Sequence, residues 1–260
     1  MTKMSHFKNQ SSQDKNNPSE EAYEPMRLNK YVAHCGVCSR RKAAALVKGG
    51  KIKVNGDILD NPAYLVQSTD QVVYKGELLQ LEEEKVYFLM NKPKNTITTK
   101  SDPRGRRTVM DLMKGKTDAR IFPVGRLDRN TTGLLIMTND GDLAKRLTHP
   151  SHEVEKVYEV ELDRPFAEAD MTRLRKGLTL EDGPALVDAA NHLSDRSSHW
   201  VSVRLHIGRN RIVRRIFDHL GYKVVKLDRV IIAGLTKKGL SRGFVRPLRP
   251  EEVRNLKYFS

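Results

Sequence analysis

Residues that could do chemistry are densest between positions 124 and 150, VGRLDRNTTGLLIMTNDGDLAKRLTHP. Gly125 and Gly133 bracket a polar turn carrying Arg126, Asp128, Arg129, Asn130, Thr131 and Thr132, and the apolar run from Leu134 to Thr138 follows as a buried strand that anchors it. A carboxylate with cations on both sides stays ionised, because nearby positive charge lowers its pKa. Such a group can act as a nucleophile, and the same pattern also suits a structural aspartate that ties a loop to arginines. A second concentration lies in residues 94–108, where Lys94, Lys100, Arg104, Arg106 and Arg107 surround Pro103 and Gly105. That composition fits a mobile loop closing over an anionic ligand, or a merely solvated one. Tyr158 in VYEVEL reads by itself as strand packing, but Lys156 two residues earlier shares its strand face, which fits a pocket with a phosphate-binding rim. Arg209, Arg211, Arg214 and Arg215, interleaved with Ile212, Val213, Ile216 and Phe217, read as the start of an amphipathic helix whose arginines divide between partners. Cys35-Gly36-Val37-Cys38, preceded by His34, has the spacing of a zinc clip or redox pair. Tetrahedral zinc needs four ligands and no second cysteine pair exists, so two small packing residues are the simpler account.

The elements that must position these residues fall into three segments. Residues 1–25 are polar, without helical or strand period, and are expected to form a disordered arm. Residues 26–82 open with Leu28, Tyr31, Val32 and Cys35 at helical spacing, ended by Gly36. Ser39 then caps a second helix with Ala43, Ala44, Leu46 and Val47 inward, stopping at Gly49-Gly50. Short strands follow, the first two joined at Asn55-Gly56, a strong type I′ hairpin turn, and Glu82-Glu83-Glu84 forms a hydrophilic linker. Residues 86–256 hold the larger set of strands and a few helices, starting with the apolar run Val86 to Met90 and closing with strands at 224–227 and 230–232. Leu227 and Ile231 are candidates to line a pocket, and Arg229, Arg242, Arg246 and Arg249 are expected as peripheral phosphate contacts.

Composition bounds the partner. The chain has 47 Lys and Arg against 32 Asp and Glu, a net charge of +15, and a pI near 9.8, which points to a polyanion. The excess is regional: residues 26–56 hold eight basic side chains and no acidic one, residues 204–260 fifteen against four, whereas 151–203 hold six against eleven. Clustering of that kind suits phosphate contacts better than solubility. With 38% hydrophobic residues the chain can bury cores, yet no apolar stretch approaches the roughly 20 residues of a membrane span. The N-terminus lacks the apolar core of a secretory signal, so a cytoplasmic protein without membrane association is expected, and two cysteines exclude a disulfide scaffold.

Two resemblances sharpen these readings. RLNKYVAHCGVCSRRKAAALVKGGKIKVNG resembles the S4-type RNA-binding domain, in which basic helices lie against the backbone of structured RNA. That resemblance implies RNA contacts for Arg27, Lys30, Arg40, Arg41 and Lys53. The run GRLDRNTTGLLIMTNDGDLAKRLTHP is similar to the signature of the RsuA/RluB group of ribosomal RNA pseudouridine synthases, and Asp128 falls where that family places its catalytic aspartate. Glu155 to Val160 matches the family's K-x-Y element, which sets Tyr158 against the target base; Gly208 to Arg215 matches its third motif, in which Arg214 pairs with the aspartate. The similarity spans about residues 26–250. It implies an α+β protein, a small S4-like domain followed by a mixed, mainly antiparallel catalytic domain. Asp128, Tyr158 and Arg214 would do the chemistry. Lys156, Arg104, Arg106, Arg107, Arg126, Arg209, Asn210 and Arg211 would join the RNA contacts. Ser101 to Val109, the His149-Pro150-Ser151 turn and Lys176 to Pro184 favour the large-subunit, RluB-like branch, hence 23S ribosomal RNA. Ile207 and Ile212 depart from the pattern, standing where related sequences usually carry polar residues.

The implied reaction breaks the N1–C1′ bond of uridine, turns the uracil and joins C5 to C1′ without change of oxidation state, so neither a metal nor a redox cofactor is expected. The target nucleotide must leave its helix, at a cost of a few kcal/mol that phosphate contacts offset. A guanidinium at Arg214 would keep Asp128 anionic in a water-poor pocket, and Tyr158 would offer a flat ring for stacking. A monomer is expected. Rival readings are a ribosome-assembly protein that keeps the fold without the chemistry, an enzyme of 16S ribosomal RNA, and an RNA N-glycosidase that releases free uracil.

Overall fold

The computed structural model describes residues 24–81 and 84–258. All but the last two residues of the expected arm, and Glu82 and Glu83 of the expected linker, lie outside the described residues. The chain divides between Leu81 and Glu82 into two compact units.

The first unit runs β1 (Met26–Arg27), α1 (Leu28–His34), α2 (Arg40–Lys48), β2 (Ile52–Val54), β3 (Asp57–Ile58), β4 (Leu65–Val66), β5 (Val72–Tyr74) and β6 (Glu77–Leu78). The Ser39 hydroxyl accepts from the Lys42 amide at 3.3 Å, satisfying one of the donors that a helix start leaves open. Asn55 and Gly56 both have positive φ, 54° and 95°, as a two-residue turn between β2 and β3 requires. The helices pack Leu28, Val32, Ala43 and Val47 onto Ile52, Val54, Val66 and Val72 of the strands. Cys38 is buried in that core and Cys35 packs against it. Each fully buried aliphatic here contributes about 1.5–3 kcal/mol.

The second unit is built on one sheet. Its elements are β7 (Tyr87–Lys92), β8 (Phe122–Pro123), β9 (Thr132–Thr138), α3 (Gly141–Thr148), β10 (Lys156–Leu162), α4 (Glu168–Lys176), β11 (Leu178–Leu180), β12 (Gly183–Ala185), β13 (Ala189–His192), β14 (Trp200–Leu205), α5 (Ile212–His219), β15 (Val224–Ile232), β16 (Leu235–Thr236), β17 (Val245–Pro247) and α6 (Pro250–Tyr258). The main order is β13-β14-β10-β15-β9-β7-β17, with β16 beside β15, β8 beside β9, and β11-β12 a separate hairpin. Both faces of the central strands are covered, so β7 and β9 read as unbroken apolar runs, not alternating ones. Phe88, Met90, Leu135 and Met137 turn to one side, where α4 and α5 deliver Met171, Leu174, Ile216 and Phe217. Tyr87, Leu89, Leu134 and Ile136 turn to the other, against Leu143 and Leu147 of α3 and Leu256 of α6. The fold is therefore α+β with a mainly antiparallel sheet. Among the described residues no helix is long and apolar enough to cross a membrane.

Within this sheet the described pairings are antiparallel except one: β15 meets β9 in parallel, Asp228 facing Thr132 and Arg229 facing Gly133. Gly133 has φ +107, a conformation that side-chain-bearing residues rarely adopt, and a Cβ there would be driven into the backbone of Arg229. The approach of these strands, and so the position of the turn that precedes β9, depends on the absence of that one carbon.

Gly133→Ala should therefore destabilise the second unit by roughly 3–5 kcal/mol, combining backbone strain with a clash that neither strand can relieve. Gly115, at φ +71 with nothing within 4 Å of its notional Cβ, supplies the control. Its replacement by Ala should cost only about 1 kcal/mol. Urea unfolding of both variants gives the comparison; equal losses would remove the significance attached to the β9–β15 contact.

Candidate active site

Asp128 lies on the turn between Val124, whose amide bonds to the Ile136 carbonyl at 2.8 Å, and the start of β9. The turn closes on itself through the Thr131 amide and the Asp128 carbonyl, 3.1 Å apart. Its flanks are held from three directions. The Thr98 hydroxyl donates to the Leu127 carbonyl at 2.8 Å and accepts from the Leu127 amide at 3.2 Å. The Lys92 ammonium donates to the carbonyls of Thr96 at 2.8 Å, Pro93 at 3.2 Å and Arg129 at 3.4 Å. The Thr132 hydroxyl donates to Asp228 Oδ1 at 2.8 Å. Residues 127, 129 and 132 are thus fixed, while the Asp128 side chain between them stays 41% exposed.

Arg214 comes from the first turn of α5. Ile212, Val213, Ile216 and Phe217 bury the inner side of that helix, leaving Arg214 at its margin. Its Nη1 donates to the Val224 carbonyl at 3.0 Å, and its Nε stands 4.0 Å from Asp128 Oδ2. Burial pulls the guanidinium pKa down and Arg211 adds to that, while the Asp128 charge opposes both. The expected water-poor pocket holds for the cation, 15% exposed, but not for the anion, which faces water on one side. Tyr158, 8% exposed, sits on β10 between Val203 of β14 and Arg229 of β15. It shares an apolar cluster with Leu127, Ile212, Val213 and Leu227, so the three sequence motifs converge on the side of the sheet that α5 covers. Among the described residues no group of three or more His, Cys, Asp or Glu is arranged to hold a metal ion.

The remaining sequence candidates divide. In the first unit Arg27, Arg40, Arg41 and Lys53 are exposed, and Lys30 is half-buried. Arg104, Arg107, Arg126, Asn210 and Arg211 are exposed as well. The 94–108 loop is anchored at its base by a bridge between Ile97 and Thr108, and at its tip Arg106 grips Asp102 at 2.6 Å, which holds that carboxyl down at about 2. Lys156 does not form a phosphate-facing rim: its ammonium donates to the carbonyls of Val154 at 2.7 Å and His206 at 2.8 Å, and a register shift follows Val157. Arg209 is spent on the β11–β12 hairpin, bonding Asp182 at 2.8 Å and the Pro184 carbonyl at 2.5 Å.

Several expectations are corrected. The helix read from position 209 starts at Ile212, because Arg211 takes a left-handed conformation, φ 47°, ahead of it. Arg229 is not peripheral but 3% exposed, its Nε donating to the Leu134 carbonyl at 2.8 Å. Arg246 is half-buried against Glu252, whereas Arg242, paired with Asp228, and Arg249, paired with Glu252, stay exposed. Ile212 and Ile207 have a packing reason: the first is buried in the main apolar cluster and the second lies against it. Two residues went unrecognised in the sequence. Lys92 lies just past the apolar run Val86 to Met90, yet it ends β7 fully buried. Asp228 falls between the strands expected at 224–227 and 230–232, yet it lies within the continuous β15 and joins Thr132, Lys237 and Arg242. A charged residue adjoining an apolar run was the available signal for both.

The chain matches two family models, the S4 domain over residues 26–72 and RNA pseudouridylate synthase over residues 86–219. It is 41% identical over 235 residues to ribosomal large subunit pseudouridine synthase B of Bacillus subtilis, covering 89% of this chain and 95% of the relative. It is 35% identical over 233 residues to an RNA pseudouridine synthase of Aquifex aeolicus, covering 89% and 93%. Among solved structures it resembles a pseudouridylate synthase crystal structure with a TM-score of 0.64 and 30% identity, covering 89% of this chain and 99% of that one.

Burial pulls the ammonium groups of both Lys92 and Lys156 down to about 8 from 10.5. Between those values the unfolded chain holds protons that the folded chain has released, so unfolding free energy should rise with pH from about 8 to about 9.5, below the onset of tyrosine ionisation. Urea midpoints across that window should climb in the parent protein and climb less steeply in Lys92→Met. A flat or falling midpoint would mean that Lys92 keeps an ordinary pKa.

Proposed function

The chain belongs to the RNA pseudouridylate synthase family, and on that premise we propose that it isomerises one uridine of large-subunit ribosomal RNA, with Asp128 as the group that acts on the sugar. As an isomerase it breaks the N1–C1′ bond and forms C5–C1′; C5 gives up a proton and N1 ends protonated, so atoms and electrons balance within the substrate. Either first step, attack on the sugar or removal of a sugar proton, requires an anionic carboxylate within reach of the ribose. The observation that carries this reading is the pairing of Asp128 with the sheltered Arg214, 4.0 Å away, beside the apolar cluster that holds Tyr158.

The open side of Asp128 suits a substrate that arrives from solvent. When an extruded nucleotide fills that side, water leaves and the Arg214 charge acts through a lower dielectric, which strengthens its hold on the carboxylate. Tyr158 then forms the flat wall for the uracil, with its hydroxyl available to the proton transfer at C5. The exposed cations Arg27, Arg40, Arg41 and Lys53 of the first unit, with Arg104, Arg107, Arg126 and Arg211 of the second, supply phosphate contacts that offset base extrusion. The choice of large-subunit RNA is supported by the names of the relatives, and a cytoplasmic setting follows from that substrate. A monomer suffices, because Asp128, Tyr158 and Arg214 all come from one chain's second unit. The reading of a fold without chemistry loses its main support, since Ile207 and Ile212 serve packing.

Asp128→Asn should reduce pseudouridine formation by roughly 10⁴-fold or more while RNA affinity changes less than about threefold, because the phosphate contacts are untouched. Carbodiimide mapping of unmodified 23S and 16S ribosomal RNA incubated with the protein reads the product, and filter binding reads affinity. A new stop in 23S RNA is expected. Stops in 16S RNA alone would move the substrate, free uracil on chromatography would make the protein a glycosidase, and full turnover by the variant would reject Asp128.

A further inference from the structure

Alternation along β10 and β15 places a different set of side chains on the face turned away from Tyr158. Glu159 is in register with Asp228 and Ser202, and Glu161 with Lys226 and Trp200. A cavity of about 380 Å³ is lined by Glu159, Trp200, Lys226 and Asp228 of this face and reaches Asn130 and Thr132 of the segment that carries Asp128. We infer that this cavity receives a second unpaired nucleotide of the RNA substrate, its base laid against the Trp200–Arg196 pair. The inference rests on the RNA-isomerase reading only for the choice of RNA as ligand.

Trp200 is the chain's one tryptophan. The Arg196 guanidinium lies over its ring, 4.3 Å from the centroid, and is fixed there by Glu159 at 3.1 Å. The Lys226 ammonium approaches the same ring at 5.6 Å and binds Glu161 at 2.7 Å. Aromatic rings and guanidinium planes are the surfaces on which unpaired bases stack. Beside them Val225 is 53% exposed, an apolar wall left in water.

Charge decides what kind of ligand fits. The lining carries five cations, Lys94, Arg196, Lys226, Lys237 and Arg242, against two carboxylates, Glu159 and Asp228. Asp228 is buried and already takes hydrogen bonds from Thr132, Lys237 and Arg242. Carboxylates in the lining disfavour a bare phosphate deep in the cavity, whereas the cationic excess favours an anion at its edge. A ligand with a flat end that bears N–H donors and a separate anionic end satisfies both conditions, and a nucleotide has that form. The volume is within the range of small-molecule sites. The second nucleotide would then touch Asn130 and Thr132 of the same segment that presents Asp128 to the target uridine, so the RNA would meet that segment at two points.

The lone tryptophan makes the test direct. The full-length protein is titrated with an unmodified large-subunit ribosomal RNA transcript bearing a fluorescein label. Trp200 emission, label anisotropy and pseudouridine content are followed in the same samples. Emission should fall by at least about half at saturation, Trp200→Ala should weaken binding roughly tenfold, and Trp200→Phe, which keeps a stacking ring, should stay within about threefold of the parent. Emission that does not move while anisotropy saturates overturns the inference, and this readout does not depend on any variant folding. Pseudouridine formed without quenching rejects the second site and leaves the isomerase reading standing; quenching without pseudouridine supports the site and rejects that reading.

Discussion

Asp128 is only as well placed as the backbone that carries it, and that backbone hangs on the contact between β9 and β15. Gly133 lets the strands approach, Asp228 holds Thr132 across the gap, and Lys92 and Thr98 hold the other flank through Arg129 and Leu127. The hydrogen bonds among these restraints go to main-chain atoms or to a neighbour, whereas the Asp128 carboxylate itself meets the charges of Lys92 and Arg214. The arrangement separates two requirements of the proposed reaction that would otherwise conflict: a loop rigid enough to aim a charge, and a charge left open to solvent. Arg214 fits the same logic, since its fixed bond goes to the Val224 carbonyl and it stands 4.0 Å from Asp128, a separation that the proposed substrate would shorten on excluding water.

The net charge of +15 overstates what the molecule presents to RNA. Arg209 and Arg215 are held by Asp182, Arg242 by Asp228, Arg246 and Arg249 by Glu252, and Arg229 is buried against a strand carbonyl. These arginines bind loops, the hairpin and the C-terminal helix to the sheet. Lys92, fully buried, and Lys156, half-buried, go further, donating to backbone carbonyls at a desolvation cost that lowers both pKa values. Exposed cations remain at Arg27, Arg40, Arg41 and Lys53 of the first unit and at Arg104, Arg107, Arg126, Arg211, Arg242 and Arg249 of the second.

Much of this was legible from sequence, and the failures have a common cause. The Ser39 cap, the Asn55-Gly56 turn, the central strands and the motif carrying Asp128 are encoded locally, by a capping hydroxyl, two positive-φ residues, or an unbroken apolar run. Charged side chains were harder, because whether an arginine meets a phosphate or a carbonyl depends on partners far along the chain. Arg209 meets residues 25 to 27 positions away, and Arg229 a carbonyl 95 positions away. The helix expected from 209 failed for a local reason: the pattern of apolar residues was right, but the left-handed Arg211 leaves no trace in periodicity.

The distance in sequence between β9 and β15 bears on how the protein comes to life. Thr132 and Asp228 are 96 residues apart, so a chain emerging from its ribosome has completed the first unit, and most of the second, before the partner of Gly133 exists. Such non-local closure is slow and comes late in vectorial folding. A nascent chain therefore carries its S4 module long before it carries a finished centre, and grip on nucleic acid precedes the power to alter it.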